Sequence, residues 1–360
     1  MNRHVTDTLA RVFRTPPYLI LFVSDSCWMK CRHCWYTDAW KEKNLCGPPL
    51  SFHELERLAG SIKTLYFLSL TGGEAFLRED IVELVEMLVR KTNIKRYEIP
   101  TSGFEPDLIV SSAERMLRGN PAVPFRVDVS LDGTEETHER IRNVKGSYDR
   151  ALRTIRELQA LRTRYPRFDV GVITTISSYN ENEVSAIAAI VERANPLGEW
   201  MVNVARGGTR DPGAIDVDCR NYIEAHRIID RRVRDKRCGG HRGHFTGAWL
   251  SAKNATRRKV IADVLAGRRF PGRCAAGSLG GVIFGDGTVR PCELLDRSFG
   301  NVREFEYDLP RLWNSPAGDE IRSWIREQRC MCTQECFLSV SLLIQPRNWL
   351  DIVRERIKRF

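Results

Sequence analysis

The chain has 360 residues, 42% of them apolar, which is enough for a substantial buried core and two or three domains. Lys and Arg number 56 against 46 acidic residues, a net charge of +10 that favours anionic partners. No run approaches the roughly 20 apolar residues that span a bilayer, and the charged opening MNRHVTDTLARVFRTPP lacks the apolar centre of a secretion signal, so no transmembrane segment is expected and the protein is placed in the cytoplasm.

From residue 18 to 205, apolar runs alternate with helical periodicity. Strands are expected at 18–24, 65–70, 96–100, 126–131, 169–175 and 200–205. Helices are expected at 51–62, where Ser51 and Glu54 form a capping-box pattern, and at 79–91, 147–161 and 182–194. Six strand-then-helix repeats imply an α/β fold with a parallel sheet and right-handed crossovers, and place the chemistry at the carboxyl ends of the strands. Residues 206–270 are rich in Arg and Gly and read as a helical basic connector, with helices near 221–235 and 253–266. From Cys274 the pattern becomes short and strand-like, with 282–284 and 288–290 flanking the hairpin signal Gly285-Asp286-Gly287. The end, 347–360, is a basic amphipathic helix whose Trp349, Ile352, Val353 and Ile357 are expected to dock on the protein, with an anionic membrane as the alternative contact.

Eleven cysteines in a cytoplasmic chain point to metal or redox ligands rather than disulfides. Cys27, Cys31 and Cys34 form C-x3-C-x2-C directly after the first strand. Thiolates suit iron–sulfur clusters and zinc. Three of them hold three irons of a [4Fe-4S] cube and leave the fourth open to a small molecule; the competing reading is a zinc site completed by His33 or a distant cysteine. After the second strand comes Leu70-Thr71-Gly72-Gly73-Glu74, where the glycine pair lets a ligand approach the backbone and Glu74 offers a carboxylate to an ammonium group. A second set comprises Cys274, Cys292, Cys330, Cys332 and Cys336. Cys332 and Cys336 are spaced by one helical turn, as if to ligate together, and a zinc ribbon is the alternative here. Cys46, Cys219 and Cys238 stand outside these patterns, and Cys238 with His241 and His244 is a weaker metal candidate. The run Arg231–Arg237 reads as a solvated helix face, and no nucleic-acid partner is expected.

The C-x3-C-x2-C loop and Gly72-Gly73-Glu74 together resemble the radical S-adenosylmethionine (SAM) superfamily. Thr101-Ser102-Gly103 after the third strand, and Ser130-Leu131-Asp132-Gly133 followed by His138 and Arg142, extend the likeness to the SPASM and twitch subgroup. Cys274 through Cys336, with G-x4-C at Gly287 and Cys292, resembles that subgroup's auxiliary-cluster domain. The resemblance implies a partial (β/α)6 TIM-like barrel over 18–205, after an N-terminal extension at 1–17 and before the connector at 206–270. It also implies a small SPASM/twitch-like auxiliary Fe–S domain over 271–340 and the amphipathic helix at 341–360. It implies a [4Fe-4S] cluster on Cys27, Cys31 and Cys34, bound SAM, and one auxiliary [4Fe-4S] cluster on four of the five later cysteines. Gly72, Gly73, Thr101 and Ser102 would then lie at the SAM site, with Glu74 on the ammonium, Ser130 on the ribose, Arg142 on the carboxylate and Trp35 near the adenine. The implied reaction is reductive cleavage of SAM to a 5′-deoxyadenosyl radical that abstracts hydrogen, with a flavodoxin or ferredoxin as electron donor. A ribosomally made peptide is the first substrate expectation, although only 26 residues precede Cys27 where many peptide-modifying relatives carry a leader-binding domain. Oxidation, epimerisation or carbon–carbon coupling of a sugar, nucleoside or lipid intermediate is the second. A zinc-dependent nucleic-acid-binding module, favoured only by charge, is the third.

Overall fold

The computed structural model describes residues 12–235, 245–268, 272–327, 330 and 332–359, so the Cys238, His241 and His244 group lies outside the described residues. β1 (Tyr18–Ser24) is the apolar run YLILFVS, buried along its middle five residues. Such a run suits a strand covered on both faces, as in a central parallel strand. It leads into the first cysteine loop, α1 (Asp38–Asn44) and α2 (Phe52–Ser61). Ser51 accepts from the Glu54 backbone N–H and Glu54 accepts from that of Ser51, so the capping box forms.

The repeats follow as β2 (Phe67–Gly72), α3 (Ile81–Lys91), β3 (Tyr97–Thr101), α4 (Pro106–Gly119) and β4 (Phe125–Ser130). Next come α5 (Glu135–Arg142), α6 (Ser147–Arg164), β5 (Phe168–Ile176), α7 (Val184–Ala194), β6 (Glu199–Val204) and α8 (Cys219–Arg234). α4 has no counterpart among the helices expected from sequence, although Pro106 in its first turn and buried Ile109, Ala113, Met116 and Leu117 are its signature. Strands β1 to β6 pair in sequence order, all parallel. α8, within the stretch read as a connector, packs on α7 and β6 and so supplies the sixth helix of the series.

After α9 (Phe245–Leu265), the later region joins the same sheet through β7 (Gly280–Ile283), β8 (Thr288–Arg290) and β9 (Gly300–Asn301). β7 lies parallel to β1, with Tyr18 opposite Gly280, and β8 returns antiparallel through the Gly285-Asp286-Gly287 turn. The resulting order is β9-β8-β7-β1-β2-β3-β4-β5-β6. α10 (Leu309–Trp313), α11 (Pro316–Glu327), α12 (Glu335–Ile344) and α13 (Pro346–Arg359) complete the chain. One hydrophobic core runs from the barrel strands to Phe299, Trp313 and Leu342, so the two halves share an interior.

Two expectations are corrected. Cys332 is not one turn from Cys336 on a helix, because α12 begins at Glu335 with Gln334 as its N-cap. The final helix docks through Ile352, fully buried, while Trp349, Val353 and Ile357 are 47%, 38% and 75% exposed. α13 packs against α9, and the buried side of α13 also carries Asn348 and Glu355, so the polar and apolar faces are mixed. Among the described residues, no helix is long and apolar enough to cross a membrane.

Candidate active site

The carboxyl ends of the six parallel strands surround a cavity of about 500 Å³. Its walls bring together Cys27, Cys31, Cys34, Trp35, Gly72, Gly73, Thr101, Ser102, Ser130 and Arg142. These residues come from five elements or loops spread over more than a hundred positions. The three thiols are held by a loop pinned at three backbone points. The Arg32 N–H donates to Ile141 O at 2.9 Å, Arg210 N–H to Cys34 O at 2.8 Å and Asp211 N–H to Arg32 O at 2.8 Å. The Met29 N–H points at the Cys27 sulfur, 3.4 Å away.

Gly72 and Gly73 explain how the end of β2 fits under this loop. The Gly73 N–H donates to Ser24 O and the Glu74 N–H to Ser26 O, at 2.8 and 2.7 Å. A Cβ on Gly73 would stand 2.2 Å from the Ser26 carbonyl oxygen. Only glycine permits that approach.

Glu74 itself stands behind the cavity wall. It is buried, and one carboxylate oxygen accepts from Thr101 Oγ1, Ser102 N–H and Ser102 Oγ at 3.0, 2.9 and 2.7 Å. Burial pushes its carboxyl up from the usual range, while the Ser102 and Thr101 donors oppose that shift. Thr101 and Ser102 form the wall where the Glu74 carboxylate was expected to reach the ligand. Arg142, at the end of α5, pairs with buried Asp132, and its second nitrogen lies 3.7 Å from the Cys31 sulfur. The Asp132 N–H donates to His138 Nδ1 at 3.1 Å. Burial lowers His138 to about 3 and His33 to about 4, so both imidazoles are neutral at ordinary pH and Arg142 is the cation beside Cys31. Trp35 belongs to an aromatic wall with Phe22, Tyr36, Trp40 and Phe284.

Burial raises the thiols of Cys27 to about 11 and Cys31 to about 12. Thiols so raised are neutral in the free loop, and a bound metal would deprotonate them. Three thiols around one open cavity fit a cluster that engages each on its own iron. In the later set, Cys274 and Cys330 are hydrogen-bonded to each other; that contact pushes Cys274 up and Cys330 down. The Cys336 thiol is raised by burial and hydrogen-bonded to Tyr18, and Cys292 accepts from the Leu295 N–H at 3.3 Å. Cys274, Cys292 and Cys336 pack with Ile20 and Phe22 of β1 and Val282 of β7, and the soft donors of the set suit iron–sulfur chemistry.

Sequence reading did not single out Thr175, Asn203, Arg206 or Arg210, which also line the cavity. Thr175 and Asn203 lie in the last residues of β5 and β6, and Arg206 and Arg210 follow β6, where the strand-end rule already pointed.

The Radical SAM superfamily profile matches residues 21–190, and the profile of the SPASM iron–sulfur cluster-binding domain matches 274–337. The chain belongs to the radical SAM superfamily. Membership brings SAM and a [4Fe-4S] cluster, and the SPASM match brings auxiliary iron–sulfur binding. The sporulation killing factor maturation protein SkfB of Bacillus subtilis is 26% identical, over 66% of this chain and 51% of its own length. Fe-coproporphyrin III synthase of Methanosarcina barkeri is 28% identical, over 87% of this chain and 77% of its own. The chain spans about half the length of several of the curated radical SAM relatives it matches. Among solved structures, Streptococcus suis SuiB bound to the precursor peptide SuiA matches at a TM-score of 0.58 and 15% identity, over 89% of this chain and 70% of that one, a likeness of fold.

Proposed function

We propose that the protein is a radical SAM enzyme acting on a ribosomally made peptide. The convergence of Cys27, Cys31 and Cys34 with the Gly72-Gly73 strand end on one cavity carries the chemistry. When bound, the cluster and SAM supply one-electron reductive cleavage and hydrogen-atom abstraction. The chain's own residues hold and orient. The three cysteines bind the cluster, the Gly72-Gly73 backbone meets the methionine group, and Arg142 attracts the SAM carboxylate. Ser130 meets the ribose, and the Trp35 wall shields the adenine and excludes water. Glu74 fixes Thr101 and Ser102 and adds a negative charge one layer behind them.

The peptide reading is supported by the names of two similar proteins, a maturation protein and a structure holding a precursor peptide. A second reading, a small molecule of the porphyrin kind rather than a peptide, is favoured by the longer match to Fe-coproporphyrin III synthase. Anaerobic incubation with SAM, reductant and short peptides encoded beside the gene separates them. A mass change in a peptide, dependent on Cys31, is the expected result; a change only in a small-molecule substrate rejects the peptide reading. A reduced cytoplasmic compartment and a flavodoxin or ferredoxin donor suit a chain with eleven cysteines and one-electron chemistry.

A further inference from the structure

One ion pair joins the cavity to the second cysteine set. Arg206 follows β6 and lines the cavity, and its Nη1 donates to Glu335 Oε2 at 2.7 Å. Glu335 is buried at the start of α12, immediately before Cys336. Its neighbour Gln334 donates to Glu293, which directly follows Cys292. Two carboxylates therefore flank the ligand cysteines, and Arg206 is the cation that answers them. Arg206 thus reaches from the cavity wall to the segment that carries Cys336. The first set has another cation beside it, Arg142, 3.7 Å from the Cys31 sulfur.

Taking a guanidinium out of water is costly unless its partners repay the loss. Here the partners are a carboxylate and the surroundings of a cysteine site. Reduction of an iron–sulfur cluster adds one negative charge, so a nearby fixed cation stabilises the reduced form and raises the potential. Resting on the auxiliary cluster of the proposed function, we infer that Arg206 is a positioning residue that sets the reduction potential of that cluster from the wall of the substrate cavity. Glu335 holds the guanidinium in place and moderates its charge.

The test is an EPR-monitored redox titration of the full chain after anaerobic reconstitution. Arg206→Gln should move the auxiliary midpoint to a more negative potential and leave the first cluster's midpoint unmoved. Arg206→Lys, which keeps the charge, should stay near the wild type, and Glu335→Gln should move the auxiliary midpoint the opposite way. An unmoved auxiliary midpoint in Arg206→Gln overturns the inference. So does an equal shift of both clusters, or loss of auxiliary iron from Arg206→Gln, which would make the residue purely structural. A chain lacking Cys27, Cys31 and Cys34 that binds no iron with Arg206 intact defeats the auxiliary-cluster reading itself, a result distinct from an unmoved midpoint.

Discussion

Arg142 is shared between the Asp132 carboxylate and the Cys31 sulfur, paired with the first and 3.7 Å from the second. The pair is buried, and removing one member leaves the other charge without compensation. Such a loss typically costs about 3–5 kcal/mol. Arg142→Ala should therefore lower the melting temperature strongly, and adding Asp132→Asn should recover part of the loss. SAM affinity should fall roughly ten- to a hundredfold in both, because a charge-assisted hydrogen bond contributes about 1.5–3 kcal/mol. Calorimetric melting and SAM titration of the two variants check this. Full SAM affinity in Arg142→Ala would remove Arg142 from the SAM site.

Glu74 should act chiefly as a brace. A glutamine can still turn its carbonyl oxygen to Thr101 and Ser102, whereas alanine strands three donors, each unpaired group costing about 1–3 kcal/mol. Glu74→Gln should keep SAM affinity within severalfold and Glu74→Ala should lose it. Equal losses in the two variants would instead show that the carboxylate charge acts on the ammonium. Gly73→Ala should disrupt both SAM binding and the first cluster, since its Cβ would meet the Ser26 carbonyl at 2.2 Å.

Replacing Cys27, Cys31 and Cys34 with alanine should leave about four irons per chain, the content of one remaining [4Fe-4S] cluster. Iron and sulfide analysis after anaerobic reconstitution measures it. Replacing Cys274 and Cys336 in addition should remove the remainder.

A pH-dependent clamp ties α2 to the later region. Glu54 accepts from Arg303 Nε at 2.6 Å and Tyr307 Oη at 2.8 Å, and the Arg303 guanidinium holds its carboxyl well below the usual range. A carboxyl with a depressed folded value stabilises the fold above its unfolded value, near 4.3, and loses that contribution as pH falls toward the folded value. Glu54→Gln should lower the melting temperature at pH 7, and the gap to the wild type should narrow below about pH 4. A gap independent of pH would show that Glu54 acts through packing alone.

Much of the barrel was legible because its signals are local. The YLILFVS run, the Ser51–Glu54 capping box and the Gly285-Asp286-Gly287 turn each form within a few residues of themselves. The cavity was legible in outline because Cys27 to Cys34 and Gly72-Gly73 both follow strands. The pairing of Tyr18 with Gly280 spans the whole barrel, so no periodicity announces that β7 extends the main sheet. The Arg206–Glu335 pair was hidden for the same reason. In α13 both faces carry apolar side chains, and the pattern alone did not say that Ile352 is buried while Ile357 is exposed.

Reductive cleavage of SAM in this cavity is directly measurable. Reconstituted protein given SAM and a strong reductant without substrate should slowly release 5′-deoxyadenosine, and the Cys31→Ala variant should release none. Chromatography with mass detection reads both. Formation of methylthioadenosine or S-adenosylhomocysteine alone, with no 5′-deoxyadenosine, would contradict the account.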